Sequence, residues 1–161
     1  MAAGDSEALA GIFEELRQSI YLLAYSLLHN HQQAEDVVQE TFVKLMDSAA
    51  SYQPGGSAAA WVLRIAQHTA IDLMRRESRL QPLVDEIPYS DTALDETDAG
   101  IDFLKATKGL NLRDRSIVIY KVFSGLSHAE IGAAVGMSEG AVRVRYHRIM
   151  QRLQAFYRQR G

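Results

Sequence analysis

Residues 125–153 read GLSHAEIGAAVGMSEGAVRVRYHRIMQRL, and they indicate how the C-terminal part of the chain folds. Ser127 and Glu130 have the S-x-x-E spacing of a capping box, which starts a short helix. Gly136 follows that helix, at a place where a tight turn needs a residue that tolerates a positive φ angle. Ser138 is placed to cap a second helix. Two helices joined by so short a turn predict a helix-turn-helix.

The second helix of this motif has one apolar and one polar face. At 3.6 residues per turn, the apolar face comprises Val142, Tyr146, Ile149 and Leu153. The candidate DNA-binding residues on the other faces and at the N-terminus are Ser138, Arg143, Val144, Arg145, His147, Arg148 and Gln151. Arginine can bond guanine and glutamine can bond adenine in bidentate fashion, while valine can touch a thymine methyl group. A cationic amphipathic helix on a protein surface is the alternative, but the spacing favours a recognition helix in the major groove.

Composition excludes several classes of protein. The 161 residues are 47% hydrophobic and 23% charged, which is typical of a globular chain, and they include no cysteine. No apolar run approaches the roughly 20 residues that cross a bilayer, and no basic segment precedes an apolar one at the N-terminus. We therefore expect a cytoplasmic protein that does not insert into a membrane.

We expect neither a cofactor nor enzymatic activity. No glycine-rich phosphate loop and no pairing of a nucleophile with a base occurs in the sequence. His29, His31 and Glu35 are the only candidates for a metal site, and nothing supplies the remaining ligands that a metal ion needs.

Charge is segregated along the chain, although its formal net value is only −3. Residues 80–104 contain seven acidic side chains and no Lys or Arg. Residues 105–161 contain eleven Lys or Arg and three acidic side chains. A basic C-terminal part indicates a polyanionic partner, of which nucleic acid is one class.

The apolar periodicity is helical almost throughout and predicts an all-α protein of two small domains. The N-terminal domain, residues 1–79, is predicted as a three-helix bundle. Its first helix covers about residues 6–28 with Asp5 or Ser6 as cap. The second starts at Asn30 with a capping-box contact from Gln33, and the third starts at Ser57. Residues 80–100 are predicted as an acidic linker.

The C-terminal domain, residues 101–161, is predicted to contain four helices. A short helix lies near residues 102–108, and Asn111 caps a second one that ends at Gly125. Two short helices around Gly136 then form the helix-turn-helix.

The predicted N-terminal bundle carries two polar faces of its own. On the second helix, Asp36 and Glu40, like Glu35 and Gln39, are i,i+4 pairs on the side opposite Val38 and Phe42. On the third helix, Arg64, His68 and Arg75 lie within one narrow arc. Each face is consistent with a solvated helix surface that has no partner. If the faces are functional, the acidic face of the second helix is a docking site for a basic or polar partner. The basic arc of the third helix is then a binding surface for backbone phosphates.

Several runs of sequence resemble the extracytoplasmic-function (ECF, group IV) sigma factors of RNA polymerase. AEDVVQETF at 34–42, YQPG at 52–55, AWVLRIA at 60–66 and AIDLMRR at 70–76 resemble region 2 of that family. RDRSIV at 113–118, GLSHAEIG at 125–132 and GAVRVR at 140–145 resemble region 4. Together the runs cover most of the chain in the family's order. The family usually has Thr where this chain has Ala141, and it often has a small polar residue where this chain has Val144. These two differences leave open which DNA sequence the helix recognises.

The resemblance implies partners and site residues. Asp36, Gln39 and Glu40 match the positions that bind the β′ clamp coiled coil of the RNA polymerase core. The positions that recognise the −10 element and hold a flipped base correspond to Tyr52, Ser57, Trp61, Arg64, His68 and Arg75. The helix-turn-helix reads the −35 element of promoter DNA and rests on the β flap, the linker threads the polymerase, and an anti-sigma factor is a further expected partner.

Two other functions use the same features. One is a helix-turn-helix regulator that binds DNA but never polymerase, and the other is a sigma-like decoy that only sequesters an anti-sigma factor. The acidic face from Asp36 to Glu40 discriminates between a sigma factor and the first alternative, and a pulldown with core polymerase tests it. The basic faces on both domains argue against the second.

Overall fold

A computed structural model describes residues 2–52, 56–80 and 99–160 of the chain, with the side chains of 6–52, 56–77 and 102–159. These residues form seven α-helices and one short 3₁₀ helix, Ala49–Ser51, which confirms the all-α prediction. The α-helices are α1 Ala2–Leu28, α2 His31–Ser48, α3 Ala58–Leu80, α4 Ala99–Ala106, α5 Leu112–Ser124, α6 His128–Val135 and α7 Glu139–Arg160.

The chain divides into two compact units, Met1–Asp95 and Glu96–Gly161. The first unit contains α1, α2 and α3, and the second contains α4 to α7. Most of the acidic linker predicted at residues 80–100 lies outside the described residues. The domain boundaries 1–79, 80–100 and 101–161 therefore stay a prediction.

Helix α1 is the central element of the first unit, because it packs against both α2 and α3. The apolar periodicity of α1 predicts one buried stripe, and its members are buried except for the half-buried Ile12: Leu9, Ile12, Phe13, Leu16, Ile20, Leu23 and Leu27. Leu22 and Tyr25, outside that stripe, are buried as well. The helix begins at Ala2 rather than at Ser6, so the predicted cap at Asp5 or Ser6 is wrong. Alanines at positions 2 and 3 are strong helix formers, and they extend the helix past the expected start.

Helix α2 begins as predicted, but the capping box does not form. The Asn30 side-chain oxygen accepts the backbone N–H of Gln33 at 2.9 Å. The Gln33 side chain does not return to the cap; its amide instead donates to the carboxylate of Glu77 on α3. At the start of α3, the Ser57 hydroxyl accepts the backbone N–H of Ala60 at 3.1 Å. The caps follow from local sequence, whereas Gln33 links two helices of the bundle.

The second unit has the predicted caps and turns. Asn111 caps α5, and Gly125 ends it with a φ of 63°. Both hydrogen bonds of the capping box between Ser127 and Glu130 are present. Ser138 accepts the backbone N–H of Ala141 at 3.1 Å at the start of α7. That helix has 22 residues, so the prediction of two short helices around Gly136 is wrong for the second. Its apolar face continues through the buried Ile149 and Leu153, which keeps the helix packed beyond the motif.

The turn between α6 and α7 depends on two glycines. Gly136 has a φ of 76°, as its position predicted. The carbonyl of Gly132 accepts the backbone N–H groups of both Gly136 and Met137, at 2.8 and 2.9 Å. A Cβ atom on Gly132 would lie only 2.4 Å from the carbonyl oxygen of Met137. Position 132 therefore has room for glycine alone, a constraint that the sequence pattern did not indicate.

We predict that Gly132→Ala destabilises the second unit by about 1–3 kcal/mol, because the added methyl group must displace backbone rather than a flexible side chain. The measurement is urea unfolding of the full chain, followed by circular dichroism. Gly140→Ala is the matched control, since nothing lies within 4 Å of its Cβ position in α7. The control should be neutral or more stable by up to about 1 kcal/mol. Equal behaviour of the two variants would contradict this account of the turn.

Candidate docking surface and nucleic-acid interface

The outward face of α2 brings together the three residues predicted to bind a protein partner. Asp36 and Gln39 are exposed, and Glu40 is partly exposed. Gln32 donates to a carboxylate oxygen of Asp36 at 3.2 Å. The ammonium group of Lys44 lies 3.4 Å from Glu40 and also donates to the buried Thr69 hydroxyl of α3 at 3.1 Å. Lys44 thus connects the carboxylate of Glu40 to the core of the bundle.

Phe42 was expected on the buried side of α2, and this is wrong, because 37% of it is exposed. The buried residues of α2 are Ala34, Val37, Val38, Thr41 and Leu45. Phe42 follows the buried Thr41 and is turned by about 100° from it along the helix. Its ring packs against Phe13 of α1, with 5.1 Å between the ring centroids. Phe13 and Phe42 line an open groove of about 400 Å³ that also contacts Gln39 and the exposed Val43.

An aromatic pair lies where the chain enters α3. The rings of Tyr52 and Trp61 lie 4.9 Å apart between centroids, with 36° between their planes. Both side chains are half-buried, and so is Ser57, the cap of α3. Of the loop predicted to recognise DNA, residues 53–55 lie outside the described residues.

The predicted basic arc of α3 faces outward. Arg64, His68 and Arg75 are all exposed, while Ile71 between them is half-buried. The buried residues Val62, Leu63 and Ala66 occupy the other side of the helix. The three basic residues therefore lie along one edge of the bundle, where a nucleic-acid backbone has access to them.

Helix α7 separates its residues into two faces, as the sequence predicted, although Tyr146 of the predicted apolar face is only half-buried. Val142, Ile149 and Leu153 are at most 4% exposed. The candidate DNA-binding residues that are exposed are Ser138, Arg143, Val144, His147, Arg148 and Gln151. Val144 is 53% exposed, an unfavourable place for an apolar residue unless something covers it. This surface offers donors and one apolar contact in the arrangement that base edges need.

Arg145 differs from the other candidate residues of α7. Its guanidinium Nε donates to the carboxylate of Asp114 on α5 at 2.7 Å. Arg115, next to Asp114, also turns toward the protein and donates to the Leu110 carbonyl at 3.0 Å. Burial lowers the pKa of the Arg115 guanidinium. Sequence reasoning missed the pair of Arg145 with Asp114, because only the packing of α5 on α7 brings positions 31 residues apart together.

The histidines considered as metal ligands have another role. The ring of His31 is hydrogen-bonded through Nδ1 to the Tyr21 hydroxyl and packs 4.8 Å from Tyr25. Across the described side chains, no three His, Asp or Glu residues cluster as a metal site would require. None of the described helices has the length and apolar character to cross a membrane.

Comparison with known proteins identifies the family. Residues 12–80 match Sigma-70 region 2, and residues 101–153 match Sigma-70 region 4. The ECF RNA polymerase sigma factor SigW of Bacillus subtilis is 31% identical over 90% of this chain and 86% of its own length. The chain belongs to the ECF sigma factors. SigE of Mycolicibacterium smegmatis, another ECF sigma factor, is 34% identical over 96% of this chain, which spans 65% of that relative.

Solved structures agree with this assignment. The sigma factor RpoE from Bartonella quintana, in complex with the anti-sigma factor NepR, matches with a TM-score of 0.70 and 26% identity. The match covers 94% of this chain and 95% of RpoE. CnrH, solved in complex with the cytosolic domain of CnrY, has the same fold, with a TM-score of 0.71 at 22% identity. A sigma factor is a transcription initiation factor that binds core RNA polymerase and promoter DNA, and it is not an enzyme.

Proposed function

We propose that this sigma factor binds core RNA polymerase through the outward face of α2 and reads promoter DNA through α3 and α7. The main support is the exposed face of α7, where donors and an apolar side chain lie opposite the buried Val142, Ile149 and Leu153. A helix-turn-helix regulator without polymerase binding explains α7 but leaves the acidic face of α2 without a role. Because its partner is RNA polymerase, the protein acts in the cytoplasm.

The face of α2 is suited to a helical partner that has basic side chains. We propose that this partner is the β′ clamp coiled coil. Asp36 and Glu40 supply negative charge, and Gln39 supplies an amide between them. Complementary charge steers and orients a partner, while apolar and aromatic side chains supply much of the affinity. The exposed Phe42 and Val43 lie next to the acidic residues and add such an apolar contact.

The start of α3 is suited to a base taken out of the DNA stack. An unstacked base needs an aromatic surface and nearby donors. Tyr52 and Trp61 offer aromatic surface, and Arg64 and His68 follow on the same helix for the phosphates. We assign these residues, with Ser57 and Arg75, to the −10 element.

The exposed face of α7 is assigned to the −35 element. Arg143, Arg148 and Gln151 can bond base edges, and Val144 can contact a thymine methyl group. His147 lies between them, and Ser138 at the helix N-terminus can meet a phosphate.

Regulation and assembly complete the proposal. RpoE was solved with an anti-sigma factor, and we propose that an anti-sigma factor also binds this chain. The second unit also contacts the β flap of the polymerase. The acidic residues 80–100 connect the two units and thread through the polymerase.

The double variant Asp36→Arg, Glu40→Arg should lose capture by core RNA polymerase at least about tenfold in a pulldown. Charges of the partner's own sign across an interface cost several kcal/mol. The matched control is Glu7→Arg, Glu15→Arg, which makes the same charge change at exposed positions of α1. Equal capture of the two double variants would contradict the assignment, provided that circular dichroism shows both to be folded.

Tyr52→Ala should weaken holoenzyme binding to a promoter fragment with a premelted −10 element by about 1–3 kcal/mol, the range for loss of one base–aromatic stack. Tyr52→Phe keeps the ring and should bind as the unsubstituted protein does. Fluorescence anisotropy of labelled DNA measures both. Unchanged binding by Tyr52→Ala would remove this residue from the −10 site.

Arg148→Ala should cost about 1–3 kcal/mol in binding of duplex −35 DNA and relax the sequence preference at one position. Binding by the unsubstituted chain should fall with salt, with a log–log slope of about −0.9 for each phosphate neutralised. Arg158→Ala is the control, because Arg158 is exposed near the other end of α7. The assignment would be wrong if Arg158→Ala changed the preference and Arg148→Ala did not.

A further inference from the structure

One arginine of the recognition helix faces the protein. Arg145 donates through Nε to Asp114 at 2.7 Å, and its side chain is 39% exposed. Arg143, by contrast, is 62% exposed and pairs with Glu139 in the same helix, at 3.2 Å. Of these two arginines, which are separated by a single residue, Arg143 lies on the exposed face of α7 and Arg145 lies against α5.

The carboxylate that receives Arg145 is held on a rigid element. The backbone N–H of Asp114 donates to the Asn111 side chain at 2.8 Å, within the N-terminal cap of α5. The Asp114 side chain is only 16% exposed. Residues 116–120 of the same helix are all buried, so α5 is anchored in the core of the second unit. A carboxylate is also favourable in the first turn of a helix.

A second arginine, Arg152, lies on the same edge of α7 and near the turn before α5. A Cβ atom on Gly109 would lie 2.8 Å from a terminal nitrogen of Arg152, so the guanidinium of Arg152 extends over the turn before α5. Arg145 and Arg152 are seven residues apart and share one edge of the helix. Along that edge Arg145 bonds to α5 and Arg152 lies over the turn before it, and the exposed face remains available to DNA.

We propose that Asp114 and Arg145 are positioning residues that set the orientation of α7 for sequence-specific binding of the −35 element. Arg145 then makes no base contact, and an acidic residue is required for recognition of a polyanion. The inference rests on the proposed function of α7 and names the contact that positions it.

For removal of Asp114, charge alone predicts the opposite effect on DNA binding. Removing an acidic group from a DNA-binding domain reduces repulsion of the phosphates, and it should strengthen binding to any duplex. Loss of a positioning contact instead weakens the specific complex, because bidentate contacts to bases depend on placement within about 0.5 Å. Non-specific binding tolerates such displacement.

The experiment measures binding of the full chain to a duplex with its −35 element and to an unrelated duplex, over a range of salt concentrations. The variants are Asp114→Ala, Arg145→Ala and the double variant. Asp102→Ala is the matched control, because Asp102 is an exposed acidic residue in the first turn of α4. All are assayed at a temperature where circular dichroism shows them folded.

Each single variant should lose specific affinity by about three- to tenfold, and the double variant should lose no more than the worse single, as expected of a coupled pair. The salt slope should change by less than half of the roughly 0.9 that the loss of one phosphate contact produces, and binding of Asp114→Ala to unrelated duplex should not fall. Asp102→Ala should bind both duplexes at least as well as the unsubstituted chain.

Two results would overturn the inference. If Arg145→Ala lowers the salt slope by about 0.9 while Asp114→Ala binds as well or better, Arg145 is a phosphate contact. If both variants lose specific and unrelated binding equally, the pair supports folding alone. Absence of salt-dependent binding by the unsubstituted chain would instead refute the proposed function of α7, and urea unfolding of the double variant would still show whether the pair is coupled.

Discussion

In each unit, burial of an apolar surface along every helix determines which polar side chains face outward. Val142, Ile149 and Leu153 hold one side of α7 in the core, so Arg143, Arg148 and their neighbours face away from it. On α2, the buried surface that includes Val37 and Leu45 does the same for the acidic residues. Rotating either helix would expose apolar groups at about 0.8 kcal/mol for each CH₂. The functional faces are therefore as firmly placed as the cores behind them.

Charged residues of one sign are grouped on the face that meets a particular partner, instead of being balanced by neighbours of the opposite sign. The acidic residues of α2 face outward on one side of the first unit, and a basic edge runs along α3. Two residues whose sign is opposite to that of their surroundings have structural partners. Lys44, among the acidic residues of α2, donates to Thr69 of the core, and Asp114, in the basic second unit, receives Arg145. Each face therefore keeps the sign of its electrostatic field, at little cost in folding free energy.

Local chemistry could be predicted from the sequence, and long-range contacts could not. The caps at Asn30, Ser57, Asn111, Ser127 and Ser138, and the left-handed glycines 125 and 136, depend on residues within four positions of one another. The buried face of α7 followed from helical periodicity. The hydrogen bond from Gln33 to Glu77 joins positions 44 residues apart, and only the packed bundle selects it over the expected cap. The exposure of Phe42 and the tight approach at Gly132 likewise depend on how helices pack, which a pattern within one helix does not contain.

The central claim is that one chain couples recognition of promoter DNA to recruitment of RNA polymerase. Run-off transcription from a library of genomic fragments, with purified core polymerase and the purified protein, tests it most directly. The account predicts discrete transcripts from a subset of fragments that share −10 and −35 sequences, and only when both components are present. DNA binding by the protein without any transcript that depends on it would contradict the account.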